Sequence, residues 1–412
     1  MELKRTSHAS GWLIAGGSMS LLAVVVVWTW FLVLLPYGTL RTFFDLESYR
    51  DTLNAVHDGA LMFDWLGYPP VTLILISPLR GLPVLAGDQL WTGGSFLMLL
   101  GLAAALTKLA MNTRPDSADK DLPTFLAGFG LAGTVLFLNV PATNQLQVGN
   151  VQLIVITLAF LDAAGVLPRK WQGTLVGLAA AIKITPLIFF PYYLFTRQWR
   201  PAAMAAGTFT AATAVGFVLF PRDSLYFWTH TDSSGRLGVD RMDNVSILGT
   251  LTRWMADPGQ ARMVWYGLAL VVGLAAFWRA WQHFRRGEQM EAALVIGAAS
   301  TAISPIAWPN YQLWLPMAAV WLIATGRRRS RLIGVLIFVP YFALYAYPLY
   351  GLIDPAGHPL ELAARMLWEL NVVVPMLICV LGLPRRVVEV VRSEAGADTE
   401  SPPSRVPTVV AG

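Results

Sequence analysis

Twelve apolar stretches run along the chain, near 11–35, 69–85, 89–111, 123–140, 151–166, 172–196, 201–220, 261–280, 290–306, 311–325, 331–348 and 367–383. A helix needs roughly 20 apolar residues to cross a bilayer, fewer where the bilayer thins. The segments between them alternate in character. Arg169-Lys170, Arg197 to Arg200, Arg279 to Arg286, Arg327 to Arg331 and Arg385-Arg386 are basic. These are predicted to face the cytoplasm, the side on which Lys and Arg accumulate.

Parity around those loops predicts the path of the chain. Stretch 151–166 must run inward to reach Arg169-Lys170. Stretch 172–196 has basic loops at both ends, so it is expected to cross twice. The break between its two short helices is predicted at Ile184-Thr185-Pro186, because proline disfavours helix in the residue before it. Stretch 69–85 follows Tyr68-Pro69-Pro70 and is interrupted by Pro78 and Pro83. It is expected to turn back without crossing. The pattern predicts an all-α polytopic membrane protein with about 12 transmembrane helices, some short and broken, and a long first outer loop. Both termini are expected inside. Residues 1–391 read as a single integral-membrane domain, and 392–412, rich in Pro, Ser and acids, as a disordered cytoplasmic tail.

Composition agrees with this picture. Hydrophobic residues make up 55% of the 412 and charged residues only 13%, about half the ordinary share. Mean hydropathy is +0.54. A soluble enzyme is excluded, and a single cysteine, Cys379, excludes a disulfide scaffold. The net charge of +5 belongs to the inner loops and does not indicate nucleic acid. The first apolar run, after Lys4 and Arg5, is too long for a signal-peptide core and reads as an uncleaved helix.

The same parity gives an outer face whose loops include 36–68, 139–150, 221–260 and 306–311. Candidate chemistry collects there. The first loop holds Asp45, Glu47, Asp51, Asp58 and Asp64. Residues 45–57 have helical spacing, with Leu46, Tyr49, Leu53 and Val56 on one face, which suits a helix lying on the membrane surface. Asp45, next to Phe43-Phe44, could act as a general base at a membrane-embedded cavity, or the acids could simply cap helices in a solvated loop. In Asn144-Gln145-Leu146-Gln147-Val148-Gly149-Asn150-Val151-Gln152, five carboxamides open a membrane helix. Carboxamides suit sugar hydroxyls, and equally suit hydrogen bonds between helices.

Lys183, in AAAIKITPLIFF, is an ammonium in an apolar context. Its partner is either a lipid phosphate or an acid such as Glu369. Arg236 and Arg241 break the positive-inside pattern. They either hold a substrate anion or pair with Asp240 and Asp243. Trp308 and Tyr311, beside Asn310 at a kinked helix, are interfacial anchors or sugar-stacking rings. No phosphate loop, dinucleotide glycine pattern or zinc spacing is present.

The order of these elements resembles glycosyltransferase family 87, in the C superfamily of integral-membrane glycosyltransferases. The likeness rests on Asp45-x-x-x-Tyr49, Asp58-Gly59, Tyr68-Pro69-Pro70 and Gly149-Asn150-Val151-Gln152. It continues through Leu178 to Pro186, Asn244-x-Ser246-x-x-Gly249 and Ser304-Pro305-x-x-Trp308. It runs from about residue 11 to 385. Within the family the chain is most similar to actinobacterial mannosyltransferases of phosphatidylinositol mannoside synthesis, which use polyprenyl-phosphate-mannose and make α-1,2 linkages.

The resemblance implies Asp45 as catalytic base, with Asp58 as second choice. Lys183, Arg241 and Arg236 would meet the donor phosphate. Glu47, Tyr49, His57, Tyr68, Asn144, Gln147, Asn150, Gln152, Asn244, Trp308, Asn310 and Tyr311 would meet sugar or acceptor. It further implies inversion, no required cofactor or metal, and an active site on the outer face of the plasma membrane. The partners implied are polyprenyl phosphate lipids and phosphatidylinositol mannosides, with no nucleic acid. Where the family often has histidines after the Ser-Pro-x-x-Trp element, this chain has Asn310 and Tyr311. An arabinofuranosyltransferase or lipomannan or lipoarabinomannan mannosyltransferase of the same family is an alternative. A lipid-linked sugar flippase is the rival from another class, since broken helices and a mid-membrane lysine suit transport too.

Overall fold

The structure, a computed structural model, describes residues 16–22, 24–26, 43–62, 67–113, 121–230, 238–343 and 361–385. Arg236, Asp64, most of the first apolar stretch and the tail 392–412 lie outside these residues. Every regular element among the described residues is helical. The helices are α1 Phe44–His57, α2 Val71–Ile76, α3 Val84–Asn112, α4 Leu122–Phe137, α5 Val140–Val148 and α6 Gln152–Ala163. Then follow α7 Thr174–Ile182, α8 Phe189–Phe195, α9 Trp199–Leu219, α10 Pro221–Thr229, α11 Ile247–Trp254 and α12 Pro258–Arg285. The last are α13 Gln289–Ala302, α14 Trp314–Thr325, α15 Arg328–Ala343, α16 Glu361–Trp368 and α17 Leu370–Leu381.

Helices α3, α9 and α12 and the run Leu362–Leu381 are each long and apolar enough to cross a membrane. α4 and α5, bent by 67° at their junction, make a fifth span if counted as one. The remaining apolar stretches are folded as shorter pieces. α6 has 12 residues, about 18 Å of helix, so the expected count of about 12 crossings needs such pieces to pair across their breaks.

The predicted breaks are found. α7 ends at Ile182, Lys183 is extended at φ −152° and ψ 130°, and a 3₁₀ turn Thr185–Ile188 leads into α8. The stretch after Tyr68-Pro69-Pro70 is the six-residue α2 followed by a 3₁₀ turn Ser77–Gly81. Pro70, Pro78 and Pro83 limit its helical length. α1 lies as its spacing predicts: Leu46, Tyr49 and Leu53 are buried, whereas Phe44, Glu47 and Asp51 are exposed.

The core is formed by α6, α13 and α14, which are buried over most of their length. α13 is rich in Ala and packs beside α12, as α7 does beside α9. Small side chains let helix backbones approach where no water drives them together. The helical residues 16–22 are seated the same way: a Cβ added at Gly130 of α4 would come within 2.5 Å of the Gly17 carbonyl carbon. Val218 on α9 and Leu270, Val271 and Leu274 on α12 face outward, the apolar exterior of helices meeting lipid.

Two buried polar clasps fix the ends. The Asp162 carboxylate, at the end of α6, accepts from Gly173 N at 2.6 Å and Val176 N at 2.9 Å. It satisfies the free N–H groups at the start of α7. At α11, Arg253 pairs with Glu369 at 3.0 Å, and Thr250 and Trp254 also donate to that carboxylate. This ties α11 to the start of α17.

Candidate active site

The site is built on the turn between α5 and α6. α5 starts with the Asn139 side chain accepting from Ala142 N at 2.9 Å. It stops at Gly149, whose φ is +71°, a region costly for residues with a Cβ. Space requires glycine as well: a Cβ here would stand 3.0 Å from Leu46 Cβ. Close approach brings α1 onto the turn. Phe43 N donates to Gln147 O at 2.9 Å, and Val151 N donates to the Tyr49 hydroxyl at 3.0 Å. Asp45 is thereby set over Asn150.

From Asp45 a chain of side chains runs inward. Asn150 Nδ2 donates to Asp45 Oδ2 at 2.7 Å and to the Tyr68 hydroxyl at 3.2 Å. Lys183 Nζ donates to Tyr68 at 3.2 Å and to the Tyr311 hydroxyl at 2.5 Å. The ammonium also lies 4.6 Å from the Tyr68 ring centroid and 3.8 Å from that of Tyr311, within cation–π range. Thr72 on α2 donates to Ile182 O at 2.6 Å and holds the broken end of α7 in place. A carboxylate and a buried ammonium, 138 positions apart in sequence, thus share one phenol-lined site.

Burial pushes the Asp45 carboxyl above its ordinary range. The Asn150 hydrogen bond and the Lys183 charge act against this, and the Asp243 carboxylate adds to it. Removal from water penalises the charged form, whereas a donor or cation favours it. The resulting carboxylate is a stronger base than a solvated aspartate, with a compact cation near it. That pair suits a reaction that takes a proton at one end and develops negative charge at the other.

The structure joins Asp45, Tyr68, Asn150, Lys183 and Tyr311. Asn310 is linked through Gln145: its Nδ2 donates to Gln145 Oε1 at 3.2 Å, and Gln145 in turn donates to Asn150 O. Gln152 is buried beside them with its Oε1 unpartnered.

Other candidates stand elsewhere or serve otherwise. Asp58 is the exposed residue after α1, about 20 Å along the helix from Asp45, so it is separated from the cluster. Glu47 and His57 point to solvent on the same helix. Tyr49 is 1% exposed and its hydroxyl accepts from the backbone. It holds α1 to the turn and is not presented to a sugar. Asn144 and Gln147 are half-buried on α5, and Gln147 contributes a backbone carbonyl to Phe43.

Two further candidates lie in or beside the segment before α11. Arg241 makes a two-pronged pair with Asp243 at 2.9 and 2.8 Å and lies 5.6 Å from the Trp308 ring. Its side chain is 60% exposed, and the ion pair is one of the two readings that its sequence context offered. Asn244 is fully buried: it donates to Val239 O and Pro305 O and accepts from Ala307 N. Its amide stitches the loop before α11 to the segment between α13 and α14. Glu369 belongs to Arg253, so the acid coupled to Lys183 is Asp45.

Thr72 and Arg253 were not among the sequence candidates, and Glu369 was named only as a possible partner of Lys183. Gln145 lies inside the carboxamide run and was legible there. Thr72 and Arg253 carry no local signal, because their partners come from segments 110 and 116 positions away.

Comparison with known proteins bears on this geometry. The model for glycosyltransferase family 87 matches residues 65–305, more than half of the chain. The match includes Tyr68, Asn150 and Lys183, while Asp45 and Tyr311 lie outside it. A polyprenol-phosphate-mannose-dependent alpha-(1-2)-phosphatidylinositol mannoside mannosyltransferase of Mycobacterium tuberculosis is 29% identical over 280 residues. That alignment covers 65% of this chain and 64% of the relative, so the chain spans just under two thirds of that protein's length. The protein of the same description from Mycolicibacterium smegmatis is 27% identical over 317 residues, covering 69% and 71% of the two chains. A pentamannoside mannosyltransferase of M. smegmatis is 26% identical over 351 residues, covering 78% and 80%. With the family model matched over most of the membrane core, the chain belongs to glycosyltransferase family 87.

Proposed function

We propose that this protein transfers mannose from polyprenyl-phosphate-mannose to a phosphatidylinositol mannoside on the outer face of the plasma membrane, forming an α-1,2 linkage with inversion. The observation that carries the chemistry is the continuous link from Asp45 through Asn150 and Tyr68 to Lys183. The sugar and the lipid partner are taken from the descriptions of the mycobacterial relatives.

The reaction follows from the two charged groups. The acceptor hydroxyl oxygen attacks the anomeric carbon while the bond from that carbon to the phosphate oxygen breaks. The hydroxyl proton passes to Asp45, and the electron pair of the broken bond leaves with the phosphate. Lys183 offsets the charge that develops there. The leaving group is already a stable anion, so no acid is needed to protonate it. One carboxylate then suffices, in contrast to the pair that flanks a glycosidic bond in hydrolases. A single displacement inverts a β-linked donor to an α-glycoside. The aromatic lining of Tyr68 and Tyr311 suits a sugar face.

The test is transfer by purified protein from polyprenyl-phosphate-mannose to phosphatidylinositol mannosides, in EDTA, with wild type and Asp45→Asn. Transfer by wild type alone is the expected result, and turnover in EDTA is part of the proposal. A wild type that ignores mannose and uses an arabinofuranose donor would move the chain to another branch of the family. Movement of a lipid-linked sugar across vesicles without transfer would favour the flippase.

A further inference from the structure

Asn150 is the most constrained polar side chain in the site. It is 2% exposed and its side chain makes three hydrogen bonds. Oδ1 accepts from Gln152 N at 2.7 Å, and Nδ2 donates to Asp45 and to Tyr68. The bond to Gln152 decides which way the amide points. A backbone N–H at the start of α6 requires an acceptor, so Oδ1 must face the helix and the two N–H groups must face the carboxylate and the phenol. Reversing the amide would set an oxygen against Asp45 and an N–H against another N–H. Asn150 O is also held, by Gln145 Nε2. The side chain has no group left for a sugar.

Its effect on Asp45 is directional. Oδ2 is occupied by a donor at hydrogen-bond distance, while Oδ1 has no hydrogen-bond partner among the described residues. A carboxylate oxygen that already accepts a bond is the poorer base of the two. We propose that Asn150 is a positioning residue that holds Asp45 by Oδ2, so that Oδ1 alone faces the acceptor hydroxyl and takes its proton. This assigns the carboxamide to the base instead of to the sugar. It rests on the reading of Asp45 as the base.

The groups that set the Asp45 charge are countable. Besides Asn150 they are Lys183 at the end of α7, Asp243 in the loop before α11, and the phenols of Tyr49, Tyr68 and Tyr311. Removing the Asn150 donor leaves burial and Asp243 opposed only by Lys183, so the carboxylate must lose ground to its protonated form.

The experiment is an infrared pH titration of the purified full-length protein, with Asp45→Asn identifying the carboxyl band. Asn150→Ala is expected to move the midpoint of that band to higher pH. An unchanged midpoint overturns the proposal. Should Asn150→Ala fail to fold, Asn150→Asp replaces it, since it keeps an oxygen toward Gln152. Its second carboxylate must push the same midpoint further up, and no shift there also overturns the proposal.

The titration needs no substrate. A wild type without mannosyl transfer would therefore overturn the reading of function and leave this result standing. Where transfer is measured, Asn150→Ala is expected to lower kcat by about a hundredfold through misplacement of the base, with KM for the donor little changed. A raised KM with unchanged kcat would return Asn150 to substrate binding.

Discussion

Asp45 titrates at a cost to the folded protein. Its pKa is raised, chiefly by burial, so the protonated form is the one folding favours. The stability it contributes is present at low pH and is lost as pH rises through the folded pKa. In the proposed reaction its activity runs the opposite way, because an aspartate base must be a carboxylate. Transfer is therefore expected to fall as pH drops through that raised value, with the acidic limb of kcat/KM above the range of a solvated aspartate. Asp45→Asn is expected to abolish transfer, by about a hundredfold or more, while thermal unfolding shows no loss of stability. A drop in melting temperature comparable to a core truncation would argue that Asp45 is structural.

Lys183 gives the complementary prediction. Lys183→Ala is expected to lower kcat/KM by about a hundredfold, the scale of one lost charge stabiliser. Lys183→Arg should recover little, because the ammonium sits between two phenols at 3.2 and 2.5 Å and a planar guanidinium demands a different shape. Full activity in Lys183→Arg would show that charge alone matters there.

At the scale of elements, the site depends on where helices stop. α5 ends at Gly149 and α7 ends before Lys183, and each ending brings a polar group, Asn150 or Lys183, into the cluster. Gly149→Val combines a strained φ with a clash against Leu46. It is expected to cost about 1–3 kcal/mol of stability, read as a lowered unfolding temperature, and to lower kcat by shifting α1 and Asp45. Wild-type kinetics in that variant would separate the turn from the base. Asp162 acts at the other end of α7, where its carboxylate receives the first N–H groups. It steadies the helix whose last turn presents Lys183.

For the whole molecule, the expectation is an outer site and inner basic loops. Cys379 is fully buried, so single cysteines can be introduced against a silent background. Asp58→Cys is expected to react with an impermeant maleimide in intact cells, and Lys170→Cys only after lysis. Reversal of that pattern would place the site on the inner face. The Arg253–Glu369 clasp joins α11 to the start of α17, so elements distant in the chain are held together.

What the sequence determined by itself was the part governed by local rules. Hydropathy and basic loops determined an all-helical membrane chain. Proline placement determined the short α2 and the break between Ile182 and the 3₁₀ turn at Thr185-Pro186. Amphipathic spacing determined the buried face of α1, and the cost of an ammonium in apolar surroundings singled out Lys183. Tertiary structure decided which polar residues meet. Asn150 and Asn244 read alike in sequence, yet one faces Asp45 and the other joins two loops. Asp45 and Asp58 stand 13 positions apart at the two ends of one helix, and only the contact of α1 with the Gly149 turn brings Asp45, and not Asp58, into the cluster. Hydrogen bonds among side chains depend on distances between segments far apart in the chain, which local pattern does not encode.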